Sequence, residues 1–269
     1  TMQLIIMGCS DEHGVPRVGC ECDVCRGAAP PGGRNTRTGP SLAVRYGPAY
    51  SERLLLIDAA PEFRLQATRL GLSRFDALLL THVHDAHILG LGPLLAAQRE
   101  AAMPLAVCAP GQVLADAAER FGYLWNDKAY RRILQPRPLE GPSDLWGLEV
   151  SPLRVDHGLG GTAYGYLLTL GSRRLAYVSD MLRATAEVRQ ALKDLDMLIL
   201  GASHYYEGIE TWKRSVMDVI AAQELIREVA PARAILTHLS HSVDYDEVTS
   251  RLSPPATLAY DGLVVEVQE

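Results

Sequence analysis

The stretch that decides the fold of this 269-residue chain is Ala77-Leu78-Leu79-Leu80-Thr81-His82-Val83-His84-Asp85-Ala86-His87. Its first four residues are apolar and predict a buried strand. Residues two apart on an extended segment point to the same side, so His82 and His84 face one point, and His87 joins them if the chain turns after His84. Neutral imidazole is the commonest metal ligand in proteins. The stretch therefore predicts a metal site at a strand end, rather than three solvated histidines on a loop.

This block resembles the His-x-His-x-Asp-His signature of the metallo-β-lactamase superfamily. The resemblance implies an α/β fold, namely the αβ/βα four-layer sandwich of that superfamily, with metals at one edge between two sheets. One position departs from the signature, because Ala86 stands where the family pattern has Asp. A methyl group cannot coordinate a metal. The nearest carboxylate, Asp85, comes one residue early and starts on the opposite face, so it reaches the site only if the turn is distorted.

Residues of the ligand type follow further apolar segments, namely His157, Asp180, His204 and His238. Each alone has an ordinary explanation, such as a loop histidine, a helix-capping aspartate or a buried histidine with a satisfied hydrogen bond. Together, and each at a strand end, they predict one site along one edge of a sheet core.

The resemblance also implies how these residues are used. It assigns His82, His84 and His157 to a first divalent metal, His87 and His238 to a second, and Asp180 to a position bridging both. Two such metals, zinc or manganese, about 3.5–4 Å apart can hold a shared hydroxide and polarise a phosphoryl or carbonyl oxygen. Because of Ala86, three alternatives stay open: a weak or water-completed second metal, a mononuclear enzyme, and a homologue that binds metal or ligand without catalysis.

His204 has a separate role in the family pattern, outside the metal ligands and close to the scissile phosphate. It could protonate the leaving oxygen or stabilise the developing charge. Asp180 is expected to act in catalysis as well, by positioning the metals. The alternative for His204 is a surface histidine beside Tyr205 and Tyr206, and His13 lies unassigned in a loop that could approach the site.

Three of the five cysteines, Cys20, Cys22 and Cys25, lie within a short knuckle at residues 19–26. They are too close to one another for a disulfide framework, and in a reducing compartment such a cluster more often binds metal. A structural zinc takes four ligands, and His241 is the best candidate for the fourth. The alternative is three free thiols on a loop.

The cysteine knuckle, the turn Gly14-Val15-Pro16 and the segment Thr237-His238-Leu239-Ser240-His241 are together similar to the PhnP-type phosphodiesterases of the carbon–phosphorus lyase pathway. That narrower resemblance extends over nearly the whole chain. It implies a metal-dependent hydrolase that cleaves a small cyclic or linear phosphodiester, in that family phosphoribosyl 1,2-cyclic phosphate, and it makes a homodimer plausible. An ester or lactone hydrolase at the same site is the enzymatic alternative.

Composition narrows the class of partner. The 26 basic and 32 acidic residues give a net charge of −6, which argues against binding of a nucleic-acid polymer and favours a small substrate. There is no apolar run of 18 residues and no signal-like N-terminal segment, so neither a membrane nor a secreted location is expected and the prediction is cytoplasmic.

The pattern of residues also predicts local structure within a single domain, 1–269. Residues 62–70, 88–101 and 215–229 are expected to be helices, and residues 122–142, which show no clear period, an insertion or lid. The segments 256–260 and 263–267 are expected to form a hairpin over Asp261-Gly262. Arg34, Arg37, Lys213 and Arg214 are interpreted as solvated surface charges, with contact to a substrate phosphate as the alternative.

Overall fold

Two seven-stranded sheets form the centre of the computed structural model, which describes residues 2–28 and 32–268. The strands of the first half of the chain are β1 (Met2–Gly8), β2 (Ser41–Tyr46), β3 (Arg53–Ile57), β4 (Ala77–Leu79), β5 (Leu105–Ala109) and β6 (Leu134–Pro138). Those of the second half are β7 (Ser143–Leu145), β8 (Leu148–Asp156), β9 (Thr162–Leu170), β10 (Arg173–Val178), β11 (Met197–Gly201), β12 (Ala234–Thr237), β13 (Ala256–Leu258) and β14 (Val264–Val267). The first sheet has the order β14-β1-β2-β3-β4-β5-β6 and the second the order β13-β12-β11-β10-β9-β8-β7.

Helices pack on the outer face of each sheet, except the first, whose buried Cys25 and Ala28 pack with Val15 in a separate small cluster. They are α1 (Asp23–Ala28), α2 (Phe63–Leu70), α3 (Asp85–Ile88), α4 (Leu91–Glu100), α5 (Gly111–Arg120), α6 (Gly122–Asn126), α7 (Ala186–Ala191), α8 (Val219–Val229) and α9 (Tyr245–Thr249). Buried side chains of α2, α4 and α5 pack with those of the first sheet, and buried side chains of α7, α8 and α9 pack with those of the second.

Strand side chains alternate between an inner and an outer layer, as a period of two requires. In β1, Leu4 belongs to the core between the two sheets, whereas Ile5 packs with the helices of the first sheet. In β11, Ile199 belongs to the same inner core and Leu200 to the outer one. The layers are therefore helix, sheet, sheet, helix, which confirms the predicted αβ/βα sandwich.

Parallel strands lie together in one half of each sheet. The strands β3 to β6 are parallel to one another, and so are β10 to β13. The carboxyl ends of parallel strands meet at one edge of their sheet. Side chains that follow these strands are thereby brought to a common rim.

The two C-terminal strands do not form the predicted hairpin. β13 pairs with β12 in the second sheet, whereas β14 pairs with β1 in the first. The segment between them is held by the carboxylate of Asp261, which accepts hydrogen bonds from the amides of Cys9 at 3.1 Å and Thr38 at 2.9 Å. These non-local bonds fix the segment in which the chain passes from the second sheet to the first. The Asp261-Gly262 pair therefore does not form a hairpin turn, and that prediction was wrong.

The predicted helix at 88–101 begins later than expected, because α4 spans Leu91–Glu100 and is separated at Gly90 from the preceding short helix α3, which ends at Ile88. The amide of Gly90 donates to the carbonyl of Ala59 at 2.9 Å, and a Cβ at this position would lie 2.3 Å from the carbonyl oxygen of Ala60. Only glycine allows this approach. The break brings α3, which carries His87, against the end of β3.

Residues 122–142, expected to be an insertion or lid, contain helix α6 and strand β6. β6 pairs in parallel with β5 and is the edge strand of the first sheet. Its two prolines, Pro136 and Pro138, suit an edge position but obscure a strand pattern in the sequence. Among the described residues, none of the helices has the length and apolar character needed to cross a membrane.

Candidate metal centre

Three ring nitrogens converge at the rim of the sheets. Nε2 of His82 lies 3.0 Å from Nδ1 of His84, and Nε2 of His157 lies 3.3 Å from the same atom. His82 and His157 are buried, whereas His84 is exposed. The turn after β4 and the end of β8 thus bring together the three residues predicted for a first metal.

Hydrogen bonds fix the tautomers of two of these rings. The hydroxyl of Thr81 donates to the carboxylate of Asp58 at 2.8 Å, so it must accept from Nδ1–H of His82, 2.9 Å away. The carbonyl of Ser215 can only accept, so Nδ1 of His157, at 2.9 Å, carries its proton. In both rings the lone pair is then on Nε2, the atom that faces the cluster, which is the arrangement that metal-binding histidines require.

A second group surrounds the carboxylate of Asp180. Nε2 of His87 lies 3.2 Å from Oδ2 of Asp180, and Nε2 of His238 lies 3.3 Å from Oδ1. The same Oδ1 is 3.8 Å from Nε2 of His157. Asp180 therefore lies between the two groups, as expected for a bridging ligand, and its role as a ligand stays a prediction.

Asp58 was missed by the sequence analysis. It directly follows β3 in the left-handed region, with φ at 58°, and its side chain is fully buried. Its carboxylate accepts from the Thr81 amide at 2.9 Å and from Nδ1 of His87 at 2.7 Å. Asp58 thereby orients His87 directly and His82 through Thr81. The available signal was a carboxylate directly after the apolar run 54–57.

The buried carboxylates of Asp58 and Asp180 and the neighbouring histidines shift one another's pKa values. Burial alone lowers the pKa of His87, but Asp180 and Asp58 outweigh it and raise that pKa to about 9. Burial lowers the pKa of His82 well below its usual range, and the neighbouring His87 lowers it further. Burial raises the pKa of Asp180, but His238, His87 and His82 outweigh it and hold that pKa well below its usual range. The buried carboxylates thus need a cation beside them.

The chemistry of the donors fits divalent metals. Among the described residues, Oδ2 of Asp180 is buried and accepts no hydrogen bond, although Nε2 of His87 lies 3.2 Å away, so this oxygen keeps acceptor capacity inside the cluster. The ligand atoms of His82, His84 and His157 lie within 4.8 Å of one another, and so do those of His82, His87 and Asp180. Three nitrogen donors and one carboxylate are a common zinc environment.

The departure at position 86 is visible in the structure. Ala86 is buried in α3, and its methyl group offers no donor. Asp85 is paired with Arg120, which also donates to the carbonyl of Val83. The side chain of Asp85 is 67% exposed and faces Arg120 rather than the ring nitrogens. The second group therefore lacks the oxygen ligand of the signature.

His204 lines a cavity of about 230 Å³ whose wall includes His238 and the previously unassigned His13. Its Nδ1 lies 3.0 Å from the hydroxyl of Ser203, which leaves Nε2 as the nitrogen for proton transfer. The amide of Ser240 donates to the carbonyl of Ser203 at 2.8 Å. This bond ties the His204 segment to the segment that carries His238.

The cysteine knuckle and His241 also come together. Nδ1 of His241 lies 3.3 Å from Sγ of Cys20 and 3.5 Å from Sγ of Cys22, and the ligand atoms of these residues and Cys25 lie within 4.8 Å of one another. Hydrogen bonds from the Cys25 amide and His241 lower the pKa of Cys22 to about 6, whereas burial raises that of Cys25 to about 11. A thiolate is therefore present at neutral pH, and the structural zinc stays a prediction.

Arg37 is not a solvated surface charge, and that interpretation was wrong. Its guanidinium is buried and donates to the carbonyls of Ser240 at 3.1 Å and Val243 at 2.7 Å. Burial lowers its pKa. Arg37 holds the loop that carries His241, which explains a buried cation at this place.

Arg214 is not a solvated surface charge either, because its side chain is only 11% exposed, whereas Arg34 and Lys213 are exposed as expected. Lys213 is paired with Glu210 at 2.6 Å, and Arg214 with Glu207 and Asp218. Arg34 is exposed and lies over the ring of Tyr245, with its Cζ 4.8 Å from the ring centroid.

The chain is similar to proteins of the beta-lactamase superfamily. The profile of the Beta-lactamase superfamily domain matches residues 53–239. Coenzyme PQQ synthesis protein B of Methylobacterium nodulans is 32% identical over 228 residues, which cover 74% of this chain and 72% of that protein. Octanoyltransferase of Porphyromonas gingivalis is 30% identical over 278 residues and 100% of this chain, but the chain spans only 52% of that protein's length.

Among solved structures, one described as a new diphosphatase from the PhnP family superimposes with a TM-score of 0.85 and 26% sequence identity. The superposition covers 100% of this chain and 98% of that one. Similarity thus extends over both sheets and the knuckle, beyond the residues that the family profile matches.

Proposed function

The chain belongs to the beta-lactamase superfamily, and on that premise we propose that it is a metal-dependent phosphodiesterase acting on a small phosphodiester. The observation that carries the proposal is the convergence of the ring nitrogens of His82, His84 and His157 beside the buried carboxylate of Asp180. Similarity to a diphosphatase of the PhnP family supports phosphoryl chemistry in particular.

Each residue has a part in this mechanism. His82, His84 and His157 would hold a first metal, and His87, His238 and Asp180 a second, more weakly held one, because Ala86 supplies no ligand. When bound, a divalent metal supplies Lewis acidity and a nucleophile available at neutral pH. Zinc suits the nitrogen-rich first group, whereas manganese suits oxygen ligands better, so zinc is the favoured ion there.

His204 would donate a proton to the leaving oxygen through Nε2. The hydroxyl of Ser203, 3.0 Å from Nδ1, holds the ring at its other nitrogen. A general acid contributes most where the leaving group is a poor one, because an alkoxide needs its proton in the transition state.

Two properties of the molecule support a small substrate rather than a nucleic-acid polymer. The net charge of −6 disfavours a phosphate backbone. The cavity at His204, of about 230 Å³, has the size of a small phosphorylated group.

The proposal is tested by metal analysis and kinetics on one preparation. We expect the zinc- or manganese-loaded protein to hydrolyse bis(p-nitrophenyl) phosphate much faster than p-nitrophenyl acetate. We also expect His204→Asn to slow a methyl phosphodiester about 10²-fold or more, and a p-nitrophenyl phosphodiester only a few-fold. Hydrolysis of the acetate alone would replace the proposal by an esterase.

Ala86 favours one second candidate, a homologue that binds a phosphorylated ligand without turnover. It rests on the missing oxygen ligand and on the pairing of Asp85 with Arg120. Metal-loaded protein that binds inorganic phosphate but hydrolyses neither chromogenic substrate would support it.

A further inference from the structure

One wall of the His204 cavity carries a carboxylate beside a predicted ligand of the second metal. Glu12 lines this cavity together with His238. The side chain of Glu12 is 67% exposed, and its Oε1 lies 3.4 Å from Nε2 of His13. An exposed pair of this kind contributes little to stability, so the carboxylate can exchange His13 for another partner at small cost.

The backbone holds Glu12 next to His238. The amide of Asp11 donates to the carbonyl of Leu239, the residue that follows His238, at 3.4 Å. The carboxylate of Asp11 then accepts from the amide of His13 at 3.0 Å, which closes a turn around Glu12. Glu12 is therefore attached to the segment that carries His238, with its side chain in the centre of a short turn.

The charge of Glu12 acts on histidines of both metal groups. Burial lowers the pKa of His84, whereas the carboxylates of Asp180 and Glu12 raise it. Burial lowers the pKa of His87 as well, and the same two carboxylates raise it together with Asp58. Nearby charges have this effect at short range. The carboxylate of Glu12 therefore lies near the open side of the cluster.

The other two acidic residues described in the cavity wall have fixed partners. Asp11 is buried and bonds within its own turn, and Glu207 accepts from Nε of Arg214 at 2.8 Å. The demand for a further ligand is on the metal side. Among the residues that the structure describes, Oδ2 of Asp180 is buried and accepts no hydrogen bond, and a buried carboxylate needs a cation beside it.

We propose that Glu12 turns from His13 to the second metal and supplies the oxygen ligand that Ala86 does not. Carboxylate oxygen is an ordinary ligand of zinc and manganese. Ordering an exposed glutamate costs side-chain entropy, so the second metal is held more weakly than it is by a buried carboxylate. This inference rests on the metal centre of the proposed function.

Metal binding, rather than turnover, tests the inference. The protein as isolated, with one ion expected in the first group and one in the knuckle, is titrated with zinc in a calorimeter. We expect Glu12→Gln to weaken the uptake of the further ion about 10-fold or more, because even a supporting carboxylate contributes about 10–100-fold to metal affinity.

Glu210→Gln is the matched control. Glu210 is 62% exposed, and its partner Lys213 lines the same cavity, so the variant removes one exposed charge at a similar place. We expect it to change the zinc affinity less than about two-fold, because solvent screens an exposed charge. An equal loss in Glu210→Gln would assign the effect to charge alone and would overturn the inference.

Ala86→Asp supplies a second test. Its carboxylate takes the place of Glu12, so adding Glu12→Gln to this variant should change the zinc affinity less than about two-fold. The same loss with and without Ala86→Asp would mean that the two positions serve different ions, and it would contradict the proposal. So would an unchanged zinc affinity in Glu12→Gln alone.

Failure of this inference differs from failure of the proposed function. Hydrolysis of a phosphodiester by a protein whose zinc affinity does not depend on Glu12 would overturn only the inference. Absence of hydrolysis with every phosphodiester would contradict the proposed function and would leave the zinc titrations measurable.

Discussion

The candidate metal centre has two halves, which attract a cation in different ways. The first half is the group of His82, His84 and His157, and the second half is the group of His87, His238 and Asp180. In the first, His82 and His157 are oriented by a hydroxyl and a carbonyl, and their Nε2 atoms face a common point. In the second, His87 lies between the carboxylates of Asp58 and Asp180. We therefore expect the first half to select a metal by coordination, and the second to select positive charge, which a metal or a proton on His87 can supply.

The largest expected effect comes from breaking the first half. We expect His157→Ala to lower the phosphodiesterase rate by more than about 10²-fold, because the loss of a ligand exceeds the loss of a supporting hydrogen bond. Metal content measured by mass spectrometry should fall by one ion per chain.

His87→Ala is the matched variant in the second half of the centre. We expect a smaller loss of rate from it, because its group is already short of a ligand at Ala86. Equal losses from the two variants would contradict a functional difference between the halves.

A smaller loss of metal affinity and rate is expected from Asp58→Asn, because Asp58 orients one histidine in each half. The amide keeps the shape of the side chain but removes the charge that holds His87, and it weakens the orientation of His82 through Thr81. Loss of such a supporting carboxylate costs about 10–100-fold in metal affinity or activity. Metal titrations should show the loss chiefly in the second half.

Asp196→Asn provides the control for that experiment. Asp196 directly precedes β11 and is paired with Arg173 at 2.6 Å, but it belongs to neither metal group. Weaker metal binding in this variant would indicate a general effect of removing a carboxylate, and it would remove the argument for Asp58.

The same contrast explains what could be predicted from the sequence. The spacing of His82 and His84 after an apolar run is a local signal, and it sufficed to predict that these two rings face one point, as their nitrogens do at 3.0 Å. Asp58 acts on His87, 29 residues away, so that no local pattern marks it. Asp261 is used in the same non-local way by Cys9 and Thr38, and for that reason a hairpin was predicted where the chain changes sheets.

A modest effect on metal content and rate is expected when the missing carboxylate is restored. We expect Ala86→Asp to raise metal content from two to three ions per chain, counting one in the cysteine knuckle, and to raise the rate a few-fold. The reason is that position 86 is the one at which the family signature carries its carboxylate, and Ala86 is buried there. Three ions already present in the unmodified protein would contradict the assignment of a weak second half.

Asp85→Asn is the matched control, one residue away. Its carboxylate is paired with Arg120, so metal content should not change. A loss of one ion in this variant would show that Asp85 moves to the second metal and replaces the absent ligand.

The smallest expected effect is on stability in the metal-free protein. The folded-state pKa of His87, about 9, lies above the value of about 6.5 in unfolded chains. Its protonation therefore stabilises the fold fully below about pH 6.5, and this contribution is lost as the pH rises to about 9. Linkage limits it to about 3 kcal/mol, to be measured as the free energy of unfolding in urea.

The quantity to compare is the difference between the unmodified protein and His87→Gln at each pH. Cys22, with a pKa of about 6, shifts stability in the opposite direction over the same range, and the difference removes its contribution. We expect this difference to shrink from pH 6.5 to 9 in metal-free protein and to grow with pH at limiting zinc, because the metal then competes with fewer protons. If the difference in unfolding free energy does not depend on pH, either in metal-free protein or at limiting zinc, then no proton is bound at His87. Both halves would then bind cations by coordination alone.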